Sequence, residues 1–471
     1  MNTINLVTTP IVDAANWIPP IGIAQLAGVL RQAGHKTLCI DLNSHISNEL
    51  DDFSPDFLVS CPETIGAFAF REKFPRILDK WIECVLANQP RVIGLSVLYR
   101  SMVVPSLALA IEIKKRSSDI TVIMGGSFAT TSNVDMIQRL IKSQYVDLIA
   151  IGYGEVTILE ILRALFSNNS LSNVPGIYYH QNGKVYSTAL NSAIDLNSIP
   201  FPDFENLLNP KAINSWMGFP IHGSRGCINS CSFCNVRHYK YKFQQRSADH
   251  IYSEILNVIE KYKVKRIAFT DNLINGVPSI FKSLCRMLKK TNLDVSFFGS
   301  LALMPSVTEE MLDLIQEAKF DRVLLALESP SPRIRKDMLK WTNMQSIMKI
   351  FNGCINRKIK PTIFLMHSFP TEAEKDFQTL LHFVDDWNPN DFDVLTWPFR
   401  LADVRVGKLD DCFVDRFNIE ILEEKGIDLP HYWKLFGQEP KWRTKNVDED
   451  IRLNRQNRVE KHLKLWRLGK E

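Results

Sequence analysis

The chain has 471 residues, too many for one ordinary hydrophobic core, so two or three domains are expected. Its 45% hydrophobic and 23% charged residues are those of an ordinary globular protein, and no apolar run reaches the roughly eighteen residues that a membrane-spanning helix requires. The formal net charge is +4, but residues 441–471 hold ten Lys or Arg against five Asp or Glu, a local +5 that leaves −1 for the rest. The basic character therefore belongs to the tail. Charge runs on helices are usually solvated faces, so nucleic acid is not expected as a partner. The start "MNTINLVTTPIVDAANW" has no basic stretch followed by an apolar core, so no signal peptide is expected, and a reduced cytoplasm is the predicted compartment.

Through residue 190, short β-branched runs alternate with helical patterns. "TINLVTT" reads as a strand, "IGIAQLAGVLRQAG" as an amphipathic helix ended by Gly34, and "KTLCIDL" as a second strand. An aromatic-rich, mainly helical insertion is expected over residues 44–90. Then come the strand "RVIGLSV", the helix "PSLALAIEIKKRS", the strand "ITVIMGG", another helix and "YVDLIAIG". This alternation predicts a doubly wound, Rossmann-like parallel sheet, in which ligands lie outside the carboxyl ends of the strands. Two of those ends carry "SVL", Ser96 to Leu98, and "GG", Gly125 and Gly126, with 26 residues between them. On adjacent strand ends, this pair resembles the cobalamin-binding domain, which implies that the small serine and the glycines let a nucleotide tail approach the backbone. The alternative is that the glycines only turn the chain. The string D-x-H-x-x-G, whose histidine ligates cobalt from below in many cobalamin proteins, occurs nowhere in the chain. Tyr99 and Arg100 are expected beside that lower face.

"IPFPDFENLLNP", residues 199–210, is a proline-punctuated connection and a natural domain boundary. Beyond it, six strand candidates alternate with helices: "PIHGSRG", "RIAFTDN", "VSFFGSLA", "RVLLALES", "KPTIFLMHS" and "FDVLTWPF". They predict a partial (β/α)6 barrel with its chemistry at the carboxyl ends of the strands. Asp271 and Asn272 end one strand, and Glu328 and Ser329 end another. An acidic residue at such a position either binds a ligand or caps the next helix. The predicted domains are 1–190, a linker at 191–215, the barrel at 216–400, and a small, mainly helical carboxyl-terminal region at 401–471. In that region "VDEDIRLNRQNRVEKHLKLWRLGKE" reads as an amphipathic helix with a solvated basic face.

Directly after the first barrel strand stands "GCINSCSFC", with Cys227, Cys231 and Cys234. Nine cysteines scattered over 471 positions would give this spacing with a probability on the order of a few in a thousand, so the clustering has a cause. Zinc is one reading, with His238 as a fourth ligand, although structural zinc usually staples small domains through two separated pairs. Three thiolates on one loop suit a [4Fe–4S] cluster with one iron left open. With Phe233 before the last cysteine, the loop resembles the signature of the radical S-adenosylmethionine (SAM) enzymes. "PPIGIAQLAGVLRQAGH" and "GYGE", Gly152 to Glu155 with Gly154 between, are similar to the amino-terminal domain of the cobalamin-dependent members.

The resemblance implies a [4Fe–4S] cluster on the three cysteines, SAM contacted by Glu328 with Asp271 near its methionine end, and cobalamin in residues 1–190. It also implies a reducing donor of flavodoxin or ferredoxin type and a peptide or small-molecule substrate. The expected activity is methylation of an unactivated carbon in a peptide, natural-product or lipid precursor, through a 5′-deoxyadenosyl radical and methylcobalamin. Cyclisation or rearrangement with the same cofactors and a non-catalytic redox-responsive binding protein are the alternatives. Methylthiolation would need a second cluster on Cys39, Cys61 and Cys84, but Cys39 and Cys84 lie at apolar positions that suit core fillers. After the fifth barrel strand "SFPTEAEKD", Ser368 to Asp376, stands where the family has a "GxPGET"-like string, and both of its glycines are lost. Residues 401–471 have no counterpart in the family and are expected to shape the substrate pocket.

Overall fold

The computed structural model of the protein describes residues 3–10, 18–43, 70–72, 74–98, 102–131, 134–167, 169–190, 194–207, 218–234, 236, 242–399, 410–423 and 441–468. Tyr99, Arg100, Cys61, His238 and most of the insertion expected over 44–90 lie outside these residues. The chain forms two compact units, the first built mainly on Met1–Ser215 and the second on Trp216–Arg237, Phe243–Glu424 and Glu439–Glu471.

The first unit is a seven-stranded sheet in the order β2-β1-β3-β4-β5-β6-β7. The parallel strands are β1 (Thr3–Thr8), β2 (Lys36–Asp41), β3 (Val92–Ser96), β4 (Thr121–Gly125) and β5 (Leu148–Ala150). Each strand expected from the alternation is present. The order 2-1-3 places the topological switch point between β1 and β3, where doubly wound sheets bind their ligands. The hairpin β6 (Ile177–Gln181) and β7 (Lys184–Ser187) adds an antiparallel edge that the alternation did not announce. The helix Val103–Arg116 is buried over almost its whole length, Val103 to Ile113, because it is covered on more than one side. This explains its near-continuous apolar sequence.

In the second unit, six parallel strands run in the order β15-β14-β13-β12-β11-β8. They are β8 (Phe219–Ile221), β11 (Arg266–Phe269), β12 (Ser296–Ser300), β13 (Phe320–Glu328), β14 (Lys360–His367) and β15 (Asp393–Pro398). All six expected strands appear, each beside its chain neighbour, and the sheet is open between β8 and β15. Between β8 and β11, the two-residue strands β9 (Ser224–Arg225) and β10 (Gln244–Gln245) pair antiparallel and bracket the cysteine loop. Two of the crossover helices start on side-chain caps: Ser247 Oγ accepts the His250 amide at 3.2 Å, and Asn343 Oδ1 accepts the Ser346 amide at 2.8 Å.

The carboxyl-terminal region packs on this second unit. It contains an antiparallel ribbon, β16 (Glu420–Glu423) with β17 (Lys441–Arg443), besides the helix Glu449–Leu468. Asp448 Oδ1 caps that helix by accepting the Ile451 amide at 2.8 Å. Val459, Leu463 and Trp466 are buried on this helix and Ile451 is half-buried, but the basic face expected in solvent is not wholly solvated: Arg455 is 2% exposed. No helix among the described residues is long and apolar enough to cross a membrane.

Candidate functional site

In the first unit, parallel register sets Ser96 beside Gly125 at the carboxyl ends of β3 and β4. The Val97 amide donates to the Gly125 carbonyl at 2.8 Å, and Ser127 Oγ donates to the Leu98 carbonyl at 2.8 Å. The two glycines differ in what they need. Gly126 has φ +109°, and a Cβ there would lie 2.4 Å from the Val97 carbonyl oxygen, so the chain path itself demands glycine. At Gly125 a Cβ would meet Ala150 at an ordinary 3.6 Å, so packing within the protein does not demand it. A bare strand end that the fold does not require is what a closely approaching ligand would use. Leu98 packs half-buried on the unit's core. The Gly152 amide donates to Thr130 Oγ1 at 3.1 Å, Gly154 opens the helix Gly154–Phe166, and Glu155 is buried in its first turn.

In the second unit, Cys227, Cys231 and Cys234 are half-buried. Two strand ends hold their loop. From β11, Asp271 Oδ2 accepts the Gly223 amide at 2.9 Å, its Oδ1 accepts from Ser224 Oγ, and Asn272 Nδ2 donates to the Gly226 carbonyl at 2.9 Å. Both Asp271 oxygens are thus engaged at the base of the loop. Burial pushes its carboxyl up to about 6 against the hydrogen bonds from Ser224 and Gly223. From the segment after β13, the Met338 carbonyl accepts the Ser232 amide at 3.1 Å and the Asp337 carbonyl accepts Ser232 Oγ at 3.0 Å. Phe233 packs half-buried on an apolar cluster containing Ile334, Met338, Phe369 and Trp442.

Burial pushes the Cys234 thiol up to about 11 and raises that of Cys227, with Lys340 opposing the shift in both. Thiols in this state lose their protons to a binding metal. Among the described residues, no three of His, Cys, Asp and Glu converge on a single metal ion. A cubane asks for no such convergence, because it takes each thiolate at a different iron. The donor set fits the cluster.

Glu328 ends β13 in the left-handed region, at φ +66°, and the β13–β14 register shifts between Ala326 and Glu328. Such an irregularity re-aims a side chain. Its Oε1 lies 3.6 Å from Lys340 Nζ, while Oε2 is buried with no hydrogen-bond partner among the described residues. Burial raises its carboxyl, and the Lys340 and Arg335 charges oppose this. An unpartnered buried carboxylate oxygen costs about 1–3 kcal/mol or more, so it fits a ligand that supplies a donor. Neighbouring Ser329 is fully buried, and its Oγ accepts the Ser331 amide at 3.2 Å.

Two buried or half-buried cations beside Glu328 carry no signal in the sequence. Arg335, 3% exposed, donates to the Leu327 carbonyl at 2.7 Å and the Thr342 carbonyl at 2.9 Å, and burial lowers its guanidinium to about 10. Lys340 donates to the Ala326 carbonyl at 2.7 Å. In "SPRIRKDMLKW" nothing separates these two from the exposed charges around them. Of the cysteines weighed for a second cluster, Cys39 is buried on β2, where its Sγ donates to the Ile23 carbonyl at 3.7 Å, and Cys84 packs half-buried on the core.

Residues 221–384 match the radical SAM superfamily, and residues 8–162 match the B12 binding domain. The chain is 23% identical over 374 residues to the "Uncharacterized methyltransferase PH0819" of Pyrococcus horikoshii, covering 78% of this chain and 72% of that protein. It is 22% identical over 365 residues to the anaerobic magnesium-protoporphyrin IX monomethyl ester cyclase of Synechocystis sp., covering 76% of this chain and 66% of that one. The radical SAM methyltransferase TsrM from Kitasatospora setae shares the fold at TM-score 0.65 and 15% identity, over 86% of this chain and 75% of its own. The chain is a radical SAM enzyme with an amino-terminal B12 binding domain, and its cofactors are a [4Fe–4S] cluster, SAM and cobalamin.

Proposed function

We propose that the enzyme is a cobalamin-dependent methyltransferase acting on an unactivated carbon of a peptide, natural-product or lipid precursor. The observation that carries the cofactor placement is the buried, unpartnered Oε2 of Glu328 on a strand whose following segment grips the cysteine loop. In this reading Cys227, Cys231 and Cys234 hold the cluster, and Glu328 accepts a hydrogen bond from SAM. Asp271, Asn272 and Ser232 fix the loop in advance, so that little ordering is left to the moment of binding. Ser96, Leu98, Gly125 and Gly126 receive cobalamin, with Gly152, Gly154 and Glu155 on the neighbouring strand end.

When bound, the cofactors supply radical chemistry at carbon and a transferable methyl group, while the protein supplies binding and orientation. A donor of flavodoxin or ferredoxin type would supply the single electron that this chemistry needs. The methyltransferase names of PH0819 and TsrM support methyl transfer, and their substrates are not carried over. The test is anaerobic reconstitution with SAM, cobalamin and dithionite. Release of 5′-deoxyadenosine together with methylation of the bound cobalamin is the expected result. A protein that takes up iron but never retains cobalamin would sink the methyltransferase reading.

A second reading, cyclisation without methyl transfer, is favoured by the similarity to the magnesium-protoporphyrin ester cyclase. Product mass separates the two: methylation adds one methylene, and cyclisation adds no carbon.

A further inference from the structure

Neither family match reaches the carboxyl-terminal segment, yet that segment holds one loop of the second unit at several points. Thr444 Oγ1 donates to the Pro370 carbonyl at 2.6 Å, and Asn446 Nδ2 donates to the Thr371 carbonyl at 3.1 Å. Arg455 Nη1 reaches the Glu372 carboxylate at 3.1 Å and the Glu372 carbonyl at 3.3 Å. Gln456 Oε1 lies 2.8 Å from His367 Nε2, at the strand end where the loop begins.

The loop needs such support. Ser368 has φ +61°, a left-handed conformation that costs a residue with a Cβ about 1–3 kcal/mol and that glycine adopts freely. Its amide donates to Glu372 Oε2 at 2.5 Å, so the carboxylate that Arg455 grips also fixes the strained residue. Glu372 is fully buried, and without its partner it would be an uncompensated buried charge. The loop is also joined to the cysteine loop. Thr371 Oγ1 donates to Asp337 Oδ2 at 2.5 Å, and the Asp337 carbonyl accepts from Ser232.

We propose that Arg455 is a positioning residue for SAM: acting through Glu372, it sets the backbone of Ser368–Glu372 at the end of β14, beside the strand that carries Glu328. The proposal rests on the SAM placement given above. The carboxyl-terminal helix supplies from outside the sheet the fixity of a turn in which neither Ser368 nor Thr371 is glycine.

The test uses full-length protein with the cluster reconstituted. SAM affinity is measured by equilibrium dialysis, iron content by analysis, and exchange of the Ser368–Glu372 amides by hydrogen–deuterium mass spectrometry. Arg455→Met should keep its iron, bind SAM at least tenfold more weakly, exchange those amides faster, and raise KM for SAM more than it lowers kcat. Adding Glu372→Gln should recover part of the affinity, since the neutral amide still accepts from Ser368 and needs no cation. Arg455→Met with full iron and unchanged SAM affinity overturns the proposal. If that variant does not fold, Thr444→Val and Asn446→Ala each remove one tether, and unchanged affinity in both overturns it equally. A parent that holds the cluster and binds no SAM sinks the underlying SAM site instead, and the proposal with it.

Discussion

Ser96 and Gly125 are direct partners in the parallel register of β3 and β4, so the two short motifs that stand far apart in the sequence form one surface at the carboxyl end of the first sheet. The glycine next door is also required by the chain path itself, and this separates two variants. Gly126→Ala puts a methyl group against the Val97 carbonyl and forces a left-handed φ on alanine, so it should destabilise the first unit by about 1–3 kcal/mol. Gly125→Leu should leave thermal stability near the parent value and abolish cobalamin retention on purification. The absorbance spectrum reads the second effect and a melting curve the first. A Gly125→Leu protein that keeps its cobalamin would remove this strand end from the binding site.

Glu328→Gln keeps the shape of the side chain and removes its charge. The cluster should still assemble, because the cysteine loop is held by Asp271, Asn272 and the Asp337–Met338 carbonyls and not by Glu328. A hydrogen bond to a charged group contributes about 1.5–3 kcal/mol, so SAM affinity should fall about ten- to a hundredfold. Iron content and 5′-deoxyadenosine formation under dithionite, at limiting SAM, are the measurements. Cleavage as fast as the parent's would make Glu328 a structural residue.

The cysteine loop and the parallel strands of both sheets were legible because each rests on local pattern: a spacing of thiols, and strand runs alternating with helices. The roles of polar side chains were not. Asp271 reads equally as ligand or cap until its two oxygens are seen on Gly223 and Ser224. Arg455 looks like any other charge on a basic face, and its burial depends on Glu372, 83 residues away. The ribbon β16–β17 was missed because a two-stranded pair of three or four residues carries too little alternation to stand out. Long-range pairing of charges and short ribbons leaves no periodic trace.

Cysteine substitutions should divide into two classes. Replacing Cys227, Cys231 or Cys234 by Ala should abolish the oxygen-sensitive cluster, whereas Cys39→Ala and Cys84→Ser should leave iron content at the parent level. Burial pushes the Cys39 thiol up to about 12, the state of an apolar filler rather than a ready thiolate. Loss of part of the iron in the Cys39 variant would point to a second cluster and favour methylthiolation.

His367 should give the second unit an acid-sensitive component. Its ring is fully buried between Ser368 and Gln456, and burial lowers its pKa to about 4, with Gln456 and Glu460 opposing the shift and Arg455 adding to it. An unfolded histidine takes up its proton near 6.5, so between about 6.5 and 4 the unfolded chain binds more protons. The His367 contribution is therefore complete above about 6.5 and is lost as pH falls toward 4. The gap of about 2.5 pH units corresponds to about 3 kcal/mol. Glu372 works in the opposite sense: burial raises it to about 7, so its contribution is present at low pH and lost as pH rises through 7. The two slopes offset each other in the parent between about 4.5 and 6.5. His367→Gln removes only the first, so in chemical unfolding the stability of the variant relative to the parent should fall as pH rises from about 4.5 to 6.5. Identical pH profiles for parent and variant would mean that His367 is not held neutral by its surroundings.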